Sequence, residues 1–273
     1  MKKAVITGTN SGFGFLTTLE LLEANYYVIA TMRMTADSSR LLAEARKRGL
    51  ANNLEIYRLD VTELENVLNF KDYLAEQHTH IDVLINNAGY CQGGFIDNLA
   101  DAQWRHQLDV NVNGVFSLTH HLLPLLKLSD RAQIINIGSI SGYIGLPGMS
   151  AYCASKFALA GFSESLRIEL LKDNIFVSLV APASFKTAIW SKGLAQINET
   201  QSTLKKTVLN YALQARDKGQ DPKAVANLIK RICQSRKPKL YYTIGKGAHL
   251  LLLVKRLLPW RTLEYFILKR LAK

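Results

Sequence analysis

A tyrosine and a lysine four residues apart, Tyr152 and Lys156, are the residues whose types and spacing most directly suggest chemistry. On a helix this spacing puts both side chains on one face. An ordinary tyrosine has a pKa of about 10, and a nearby ammonium group favours the phenolate and lowers that pKa. A tyrosine tuned in this way can donate a proton to a carbonyl oxygen or accept one from an alcohol. Ser139, thirteen residues before the tyrosine, can hydrogen-bond the same oxygen.

A glycine-rich turn follows the first short apolar segment of the chain. It reads Thr7-Gly8-Thr9-Asn10-Ser11-Gly12-Phe13-Gly14 and runs directly into a helical pattern. Glycines at such a turn let the backbone approach a pyrophosphate, and the helix N-terminus supplies amide donors and a favourable dipole. The pattern therefore indicates a dinucleotide-binding turn. The alternative from these residues alone is a tight turn that needs flexible residues.

Short apolar segments rich in β-branched residues alternate with longer amphipathic segments, which predicts a parallel sheet with helices on both faces. The predicted strands are Lys3–Thr7, Tyr27–Met32, Leu54–Leu59, Val83–Asn86, Gln133–Gly138, Ile175–Val180 and Leu240–Thr243. The predicted helices are Thr17–Glu23, Leu41–Arg48, Glu63–Gln77, Trp104–Leu126, Ser155–Leu171 and one that starts at Asp221-Pro222. The fold class is therefore α/β, doubly wound, with a mostly parallel sheet of about seven strands.

Further motifs follow the predicted strands in a fixed order. They are Asp60-Val61 after the third strand, Asn86-Asn87-Ala88-Gly89 after the fourth, Asn111-Val112-Asn113-Gly114 inside a helix, and Ser139 with Tyr152 and Lys156 after the fifth. Together with the glycine turn, they resemble the motifs of the short-chain dehydrogenase/reductase family. The resemblance is close over about residues 3–190 and loose beyond. It implies a compact Rossmann-type domain, a nicotinamide cofactor and the interconversion of a carbonyl and an alcohol.

The resemblance also implies which residues form the site. Tyr152 is the expected acid/base, Lys156 tunes it and binds the ribose, Ser139 positions the substrate, and Asn111 holds a water that links Lys156 to solvent. The expected cofactor-binding residues are Gly8, Asn10, Ser11, Gly12, Phe13, Gly14, Arg33, Asp60, Val61, Asn87, Ala88, Gly89, Tyr152, Lys156, Pro182 and Thr187. No metal site is expected, because no cluster of ligands accompanies His120 and His121.

Cofactor choice depends on the end of the second strand. NAD-selective relatives place an acid there to bind the ribose hydroxyls. This chain has Met32 in that place, followed by Arg33. Because arginine binds a 2′-phosphate and an acid repels it, we expect NADP(H) rather than NAD(H). The alternative is that Arg33 is only a surface charge, and the glycine turn adds no second basic residue.

The resemblance implies a substrate lid at about 183–219, after the sixth strand. Ala183 stands where relatives usually carry glycine, so a positive φ at that position would strain the loop. Apolar side chains in the lid and just before the catalytic helix suggest a large apolar substrate; the alternative is that they pack the lid shut. These side chains are Tyr143, Leu146, Met149, Phe185, Ile189, Trp190, Leu194 and Tyr211.

The composition suits a globular chain in a reducing compartment. Hydrophobic residues make up 48% and charged residues 21%, which excludes disorder as the main interpretation. Three cysteines, Cys91, Cys153 and Cys233, are too few and too far apart for a disulfide framework. No apolar run is long enough to span a bilayer, and the N-terminus lacks a signal-peptide pattern. We therefore expect a cytoplasmic protein.

The net charge of +12 is concentrated near the C-terminus. Residues 236–273 contain ten basic residues and one acid, a net charge of +9. Two apolar blocks in this segment, Leu250–Leu258 and Leu263–Leu271, are separated by Pro259-Trp260-Arg261 and end in basic residues. Such a basic amphipathic segment, at about 245–273, could lie on an anionic membrane. The alternative is that it covers the substrate site or a subunit interface. Charge placed on an apolar tail argues against nucleic acid as the partner.

We therefore expect a single domain over residues 1–273 that acts as an NADP(H)-dependent oxidoreductase on an apolar small-molecule substrate. The alternative is a membrane-associated binding or redox-sensing protein that holds the dinucleotide and turns over little. The intact Ser139, Tyr152 and Lys156 set favours the enzyme. The resemblance also implies a homodimer or homotetramer built on the helices near 104–126 and 151–171.

Overall fold

The computed structural model describes residues 1–187, 189 and 203–271, and a seven-stranded sheet organises them. The strands are β1 (Lys2–Thr7), β2 (Tyr26–Met32), β3 (Leu54–Arg58), β4 (Val83–Asn86), β5 (Ala132–Ile137), β6 (Ile175–Pro182) and β7 (Tyr241–Ile244). Their order in the sheet is β3-β2-β1-β4-β5-β6-β7, and every pair of neighbours is parallel. The predicted parallel sheet is confirmed, and the strand limits differ from the prediction by no more than about two residues.

The helices cover both faces of the sheet. They are α1 (Gly12–Glu23), α2 (Ser39–Lys47), α3 (Leu64–Gln77), α4 (Asp101–Leu108), α5 (Gly114–Lys127), α6 (Ser150–Leu170), α7 (Thr203–Asp217), α8 (Lys223–Gln234), α9 (Ala248–Leu257) and α10 (Trp260–Leu271). One core lies between the sheet and α1, α2 and α8, and the other lies between the sheet and α3, α5 and α6. Strands covered on both faces must be apolar on both, which explains why β4 to β6 are buried throughout. The doubly wound α/β fold is confirmed.

The prediction of one helix over Trp104–Leu126 was wrong in detail. The helical segment begins at Asp101, and a π turn over Asp109–Asn113 separates α4 from α5. The N–H of Gly114 donates to the carbonyl of Asp109 in the wide i→i+5 pattern. Contacts from outside the helix accompany this turn, because the side chain of Asn111 in its middle bonds the backbone of Tyr90.

The strand order reverses between β1 and β4, and this reversal places the site. In open parallel sheets a crevice forms beyond the carboxyl ends of the strands at such a point. The residues that follow β1, β2, β4 and β5 at this edge include Gly8, Arg33, Asn87 and Ser139. Residues far apart in the chain are therefore brought to one crevice.

Candidate active site

A cavity of about 1030 Å³ opens at the carboxyl edge of the sheet. Ligand sites commonly measure about 300–1,000 Å³, so this cavity has room for a large ligand or for two adjacent ones. Fifteen of the sixteen residues expected in the cofactor site on sequence grounds line this cavity, as does Ser139, whereas Gly14 lies outside its lining. The catalytic candidate Asn111 also lies outside the described lining.

Every other expected site residue, from the glycine turn to Thr187, lies on the cavity wall.

The glycine turn forms one end of the cavity. Gly8 and Gly12 have φ angles of +69° and +58°, in the left-handed region that favours glycine. A Cβ on Gly8 would lie 2.9 Å from the Cα of Ala88, so the two loops could not approach as they do with a larger residue. Within the described part of the chain, the Ser11 side chain makes no capping hydrogen bond to α1. The first amides of α1 therefore remain available to an anionic ligand.

Gly14 contributes by packing. A Cβ there would lie 2.3 Å from the carbonyl oxygen of Gly8 and 2.5 Å from Nδ2 of Asn87. That Nδ2 donates to the carbonyls of Thr7 (2.8 Å) and Gly8 (3.0 Å), while the N–H groups of Asn87 and Ala88 donate to Oγ1 of Thr7 (3.0 and 2.8 Å). The ends of β1 and β4 are thus locked together beneath the turn.

Charged side chains line the cavity just after the end of β2. Arg33 is exposed and lines the cavity, and Nε of Arg58 donates to its carbonyl at 3.3 Å. Asp37, which no sequence motif marks, also lines the cavity and accepts a bond from Nδ2 of Asn10 at 3.3 Å. This end of the cavity therefore contains both a guanidinium group and a carboxylate.

The segment after β3 is held by short local contacts. Oδ1 of Asp60 accepts bonds from the N–H (3.0 Å) and the hydroxyl (2.7 Å) of Thr62. A Cβ on Gly114 would lie 2.8 Å from a methyl carbon of Val61, so α5 begins directly against this segment. Asp60 and Val61 both line the cavity as a result.

Tyr152 and Lys156 lie one turn apart on α6, and both are buried. Nζ of Lys156 donates to the carbonyl of Ile137 at 2.7 Å and lies 5.7 Å from the centre of the Tyr152 ring. Burial lowers the pKa of Lys156 from 10.5 to about 8, although the charge of the Cys91 thiolate would oppose that shift. The ammonium form is therefore still the major one at neutral pH.

The expected lowering of the Tyr152 pKa was wrong for this structure. Burial raises the pKa of Tyr152 well above its usual value of 10, and a thiolate at Cys91 would act in the same direction. A hydrogen bond with Ser139 opposes the shift. Desolvation of the phenolate thus outweighs the opposing hydrogen bond. Tyr152 is a neutral phenol, which is the form that donates a proton.

Ser139 lies at the end of β5, on the same side of the cavity as Tyr152. Its Oγ accepts a bond from the N–H of Ser141 at 3.1 Å, which fixes the start of a short helical turn over Ile140–Gly142. A Cβ on Gly142 would lie 2.7 Å from the carbonyl oxygen of Lys156, so this turn packs tightly against α6. The serine is therefore held in place relative to the tyrosine.

Asn111 supports the site from behind the cavity wall. Its Oδ1 accepts from the N–H of Tyr90 at 3.1 Å, and its Nδ2 donates to the Tyr90 carbonyl (3.0 Å) and to Oγ of Ser155 (3.1 Å). These bonds join the π turn to α6 and to the segment after β4. The water expected at Asn111 stays a prediction.

The loop after β6 adopts ordinary backbone angles at Ala183. Among the described residues, the non-glycine residues with positive φ are Asn25 and Asn174, so alanine at 183 is unstrained. The positive φ is found instead at Gly245 (+122°), which packs against Ala183. A Cβ on Gly245 would lie 2.7 Å from the Cβ of Ala183. Further along, the Thr187 side chain lies 3.8 Å from where a Cβ on Gly12 would stand, so it faces the glycine turn.

Apolar side chains form the other end of the cavity. Of the apolar residues named from the sequence, Leu146, Met149 and Ile189 line this end. Phe185 also lines the cavity, but its ring packs against Phe13 of the glycine turn, with ring centres 5.7 Å apart. Trp190 and Leu194 lie outside the described residues. Tyr143 instead packs against Tyr241, with ring centres 6.0 Å apart, and Tyr211 belongs to α7. Sequence reasoning missed three residues that line this end, because only the fold brings them here. They are Val208, Leu251 and Ile267.

The wall suits a nicotinamide dinucleotide with a substrate beside it. The left-handed glycines, the close contact of Gly8 with Ala88 and the uncapped start of α1 form a cradle that a side chain would fill. Within residues 1–187, 189 and 203–271, no three His, Cys, Asp or Glu side chains are grouped as metal ligands would be.

Comparisons with known proteins agree with this geometry. Residues 2–198 match the family model described as short chain dehydrogenase. A Bacillus subtilis protein named uncharacterized oxidoreductase YusZ is 38% identical over 277 residues, covering 99% of this chain and 98% of the relative. Human retinol dehydrogenase 8 is 34% identical over 252 residues, covering 88% and 80%. A solved short chain dehydrogenase/reductase from Burkholderia phymatum, in complex with NAD, is 26% identical with a TM-score of 0.81, covering 94% of this chain and 92% of that one.

Proposed function

This chain belongs to the short-chain dehydrogenase family and is an oxidoreductase of the CH–OH/C=O class, and on that premise we propose that it uses NADP(H) on an apolar substrate. The observation that carries the proposal is the cavity itself. It joins the glycine turn at one end to Ser139, Tyr152 and Lys156, and then to an apolar end. When bound, the nicotinamide ring supplies or accepts the hydride.

We propose that Tyr152 is the acid/base. In the reducing direction its phenol donates a proton to the substrate oxygen, and Ser139 holds that oxygen by a hydrogen bond. Lys156, bound to the Ile137 carbonyl, lies near enough to stabilise the phenolate that remains. Positioned proton transfer of this kind contributes typically 10²–10⁴-fold to a rate. The neutral state of Tyr152 suits reduction, whereas the oxidising direction requires it first to lose a proton.

We propose that Lys156 also binds the ribose and that the residues of the glycine turn, Asp60–Val61, Asn87–Gly89, Pro182 and Thr187 hold the rest of the dinucleotide. Asn111 is then a positioning residue, because its amide is bonded to Tyr90 and Ser155. This division of roles favours an enzyme over a protein that merely holds the dinucleotide, because a binding protein has no need of the Ser139, Tyr152 and Lys156 set.

We propose NADP(H) as the cofactor because of Arg33. Its guanidinium group lines the cavity where the adenosine ribose would lie, and Arg58 adds a second basic side chain nearby. The carboxylate of Asp37 is bonded to Asn10 and acts against a 2′-phosphate. Because Arg33 can make a charge-assisted contact with a 2′-phosphate, we propose that its effect outweighs that of this carboxylate. The similar Burkholderia phymatum structure binds NAD, so the preference requires a direct test.

We propose an apolar substrate because of the side chains at the end of the cavity away from the glycine turn. Met149 and Ile189 cluster around the Tyr152 ring, and Val208 and Ile267 extend the apolar wall. A similar relative is named a retinol dehydrogenase, which is consistent with an apolar substrate.

We further propose a single domain over residues 1–273, with a lid at about 183–219. Exposed apolar side chains on α5 and α6, namely Phe116, Phe157 and Ile168, support a homodimer or homotetramer built on these helices. Three buried free cysteines support a cytoplasmic location. We also propose peripheral membrane contact through the basic C-terminal segment.

Fluorescence titration with NADPH and with NADH, followed by a screen of carbonyl compounds with the preferred cofactor, tests the proposed function. We expect NADPH to bind at least about tenfold more tightly, which corresponds to about 1.4 kcal/mol. Tighter binding of NADH would overturn the cofactor assignment. Binding of neither cofactor would remove the basis of the proposed activity.

A further inference from the structure

The last two helices present an exposed apolar surface, which we call the tail face. On α9 it consists of Leu250, Leu253 and Leu257, with exposed fractions of 65%, 52% and 69%. Their spacing of three and four residues puts them on one side of the helix. Exposing a cluster of leucines to water is energetically unfavourable, so we expect another surface to cover them.

Helix α10 extends the tail face with aromatic side chains. Trp260, Tyr265, Phe266 and Leu268 are each between 56% and 58% exposed. Trp and Tyr are enriched where protein meets the headgroup layer of a bilayer, because their rings are apolar and their N–H or O–H groups are polar. Trp260 lies at the first residue of α10, directly after the bend that separates the two helices.

Basic residues border this apolar surface. Arg256, Arg261 and Lys269 are exposed, and Glu264 is the one acid in the sequence from 236 to 273, which carries a net charge of +9. Each such cation near an anionic bilayer contributes about 1 kcal/mol of attraction. A second copy of the chain would bring the same positive charge against it, which disfavours self-association through the tail face. No helix within the described ranges is long and apolar enough to cross a bilayer.

The side of α9 opposite its exposed leucines, and the side of α10 opposite Tyr265, form part of the cavity wall. Leu251 of α9 and Ile267 of α10 line the cavity, while Ala248 and Leu263 are buried beside them. Lys255 lies over the ring of Phe157 on α6, at 5.0 Å from its centre, which holds α9 against the body of the protein. Helices α9 and α10 therefore lie between the tail face and the apolar end of the cavity.

We propose that the tail face docks on an anionic phospholipid surface and that an apolar carbonyl substrate reaches the cavity from the lipid past α9 and α10. This inference rests on the proposed oxidoreductase function for the substrate, but the docking itself does not depend on it. Short helices with an apolar face, bordering cations and interfacial aromatics bind in the plane of such a surface.

Cosedimentation with vesicles tests the docking directly, using the full chain and vesicles of phosphatidylglycerol mixed with phosphatidylcholine or of phosphatidylcholine alone. We expect binding to the anionic vesicles that weakens with salt. Two variants should lose it: Leu253→Asp/Leu257→Asp by at least about tenfold, and Arg256→Glu/Arg261→Glu by about 30-fold or more. The control Leu64→Asp changes an equally exposed leucine (57%) on α3 and should bind as wild type.

Activity measurements on the same variants distinguish a failure of the docking from a failure of the proposed oxidoreductase function. With NADPH and a water-soluble carbonyl in the absence of vesicles, we expect both tail variants to match wild type. With a long-chain carbonyl supplied in anionic vesicles, their kcat/KM should fall in parallel with vesicle binding. Wild-type protein that does not bind the vesicles, or variants that bind equally, would overturn the docking. A smaller sedimenting mass in the leucine variant would instead assign the tail face to a second copy. Failure to reduce any carbonyl would overturn the proposed function while leaving the vesicle result interpretable.

Discussion

Replacing Gly14 by alanine tests the packing beneath the glycine turn. The new Cβ would lie 2.3 Å from the carbonyl oxygen of Gly8 and 2.5 Å from Nδ2 of Asn87, so backbone or side chain must move. Gly161, on the exposed side of α6, is the matched control, because among the described residues no atom lies within 4 Å of a Cβ added there. Within the single chain, the same methyl group is therefore forced into a closed space at one position and into open space at the other.

The magnitude follows from the contacts. Displacing Asn87 breaks two hydrogen bonds worth about 1 kcal/mol each, and overpacking costs about 1–3 kcal/mol. Alanine in a helix recovers about 1 kcal/mol relative to glycine. Gly14→Ala should therefore lower the free energy of unfolding by about 2–4 kcal/mol, whereas Gly161→Ala should raise it by about 0.5–1 kcal/mol. For a chain of this size the first change lowers Tm by roughly 5–15 °C.

Thermal unfolding followed by circular dichroism measures both effects, and NADPH titration measures the consequence for the site. Gly14→Ala should also weaken NADPH binding, because the turn and the start of α1 move together, while Gly161→Ala should bind as wild type. Sedimentation checks that both variants keep the wild-type oligomeric state. A Tm for Gly14→Ala within about 1 °C of wild type would refute the reasoning, since about 2 kcal/mol corresponds to a larger shift.

Three further predictions concern the ligands. Arg33→Asp should raise the Kd of NADPH by roughly tenfold to a hundredfold without weakening NADH binding, because a charge-assisted contact is lost. Fluorescence titration measures both Kd values. If their ratio does not change, Arg33 does not select the cofactor. The pKa of Lys156 is lowered to about 8, so its ammonium is lost as pH rises through that value. The kcat/KM for NADPH should then fall by about fivefold between pH 8 and pH 9. The kcat/KM of Lys156→Met should not show this fall. In a series of carbonyls of rising chain length, kcat/KM should increase by up to about fourfold per methylene, and a flat series would contradict the apolar wall.

The strands were predictable because their physics is local. Segments such as Val83–Asn86 are buried on both faces of the sheet, so an uninterrupted apolar run marks them. The start of α8 was also predictable from the sequence, because it depends on a local contact. Oδ1 of Asp221 accepts a bond from the N–H of Lys223 at 2.8 Å. These features need no knowledge of distant parts of the chain.

Features that depend on distant contacts were not predictable. The π turn at Asp109–Asn113 is accompanied by bonds from Asn111 to Tyr90 and Ser155, which lie in other segments. The raised pKa of Tyr152 follows from burial, which the spacing of Tyr152 and Lys156 does not reveal. Likewise, the apolar blocks of the tail were visible in the sequence, but the sequence pattern did not predict which leucine would line the cavity.

The central claim is that Tyr152 performs proton transfer at a site where the dinucleotide binds independently of it. Tyr152→Phe removes one hydroxyl from a buried ring and leaves the glycine turn untouched. The measurement is the rate of NADPH-dependent carbonyl reduction by this variant, alongside its Kd for NADPH. We predict a loss of at least about a hundredfold in kcat with a Kd close to that of wild type. A variant that reduces the carbonyl at the wild-type rate would contradict the account.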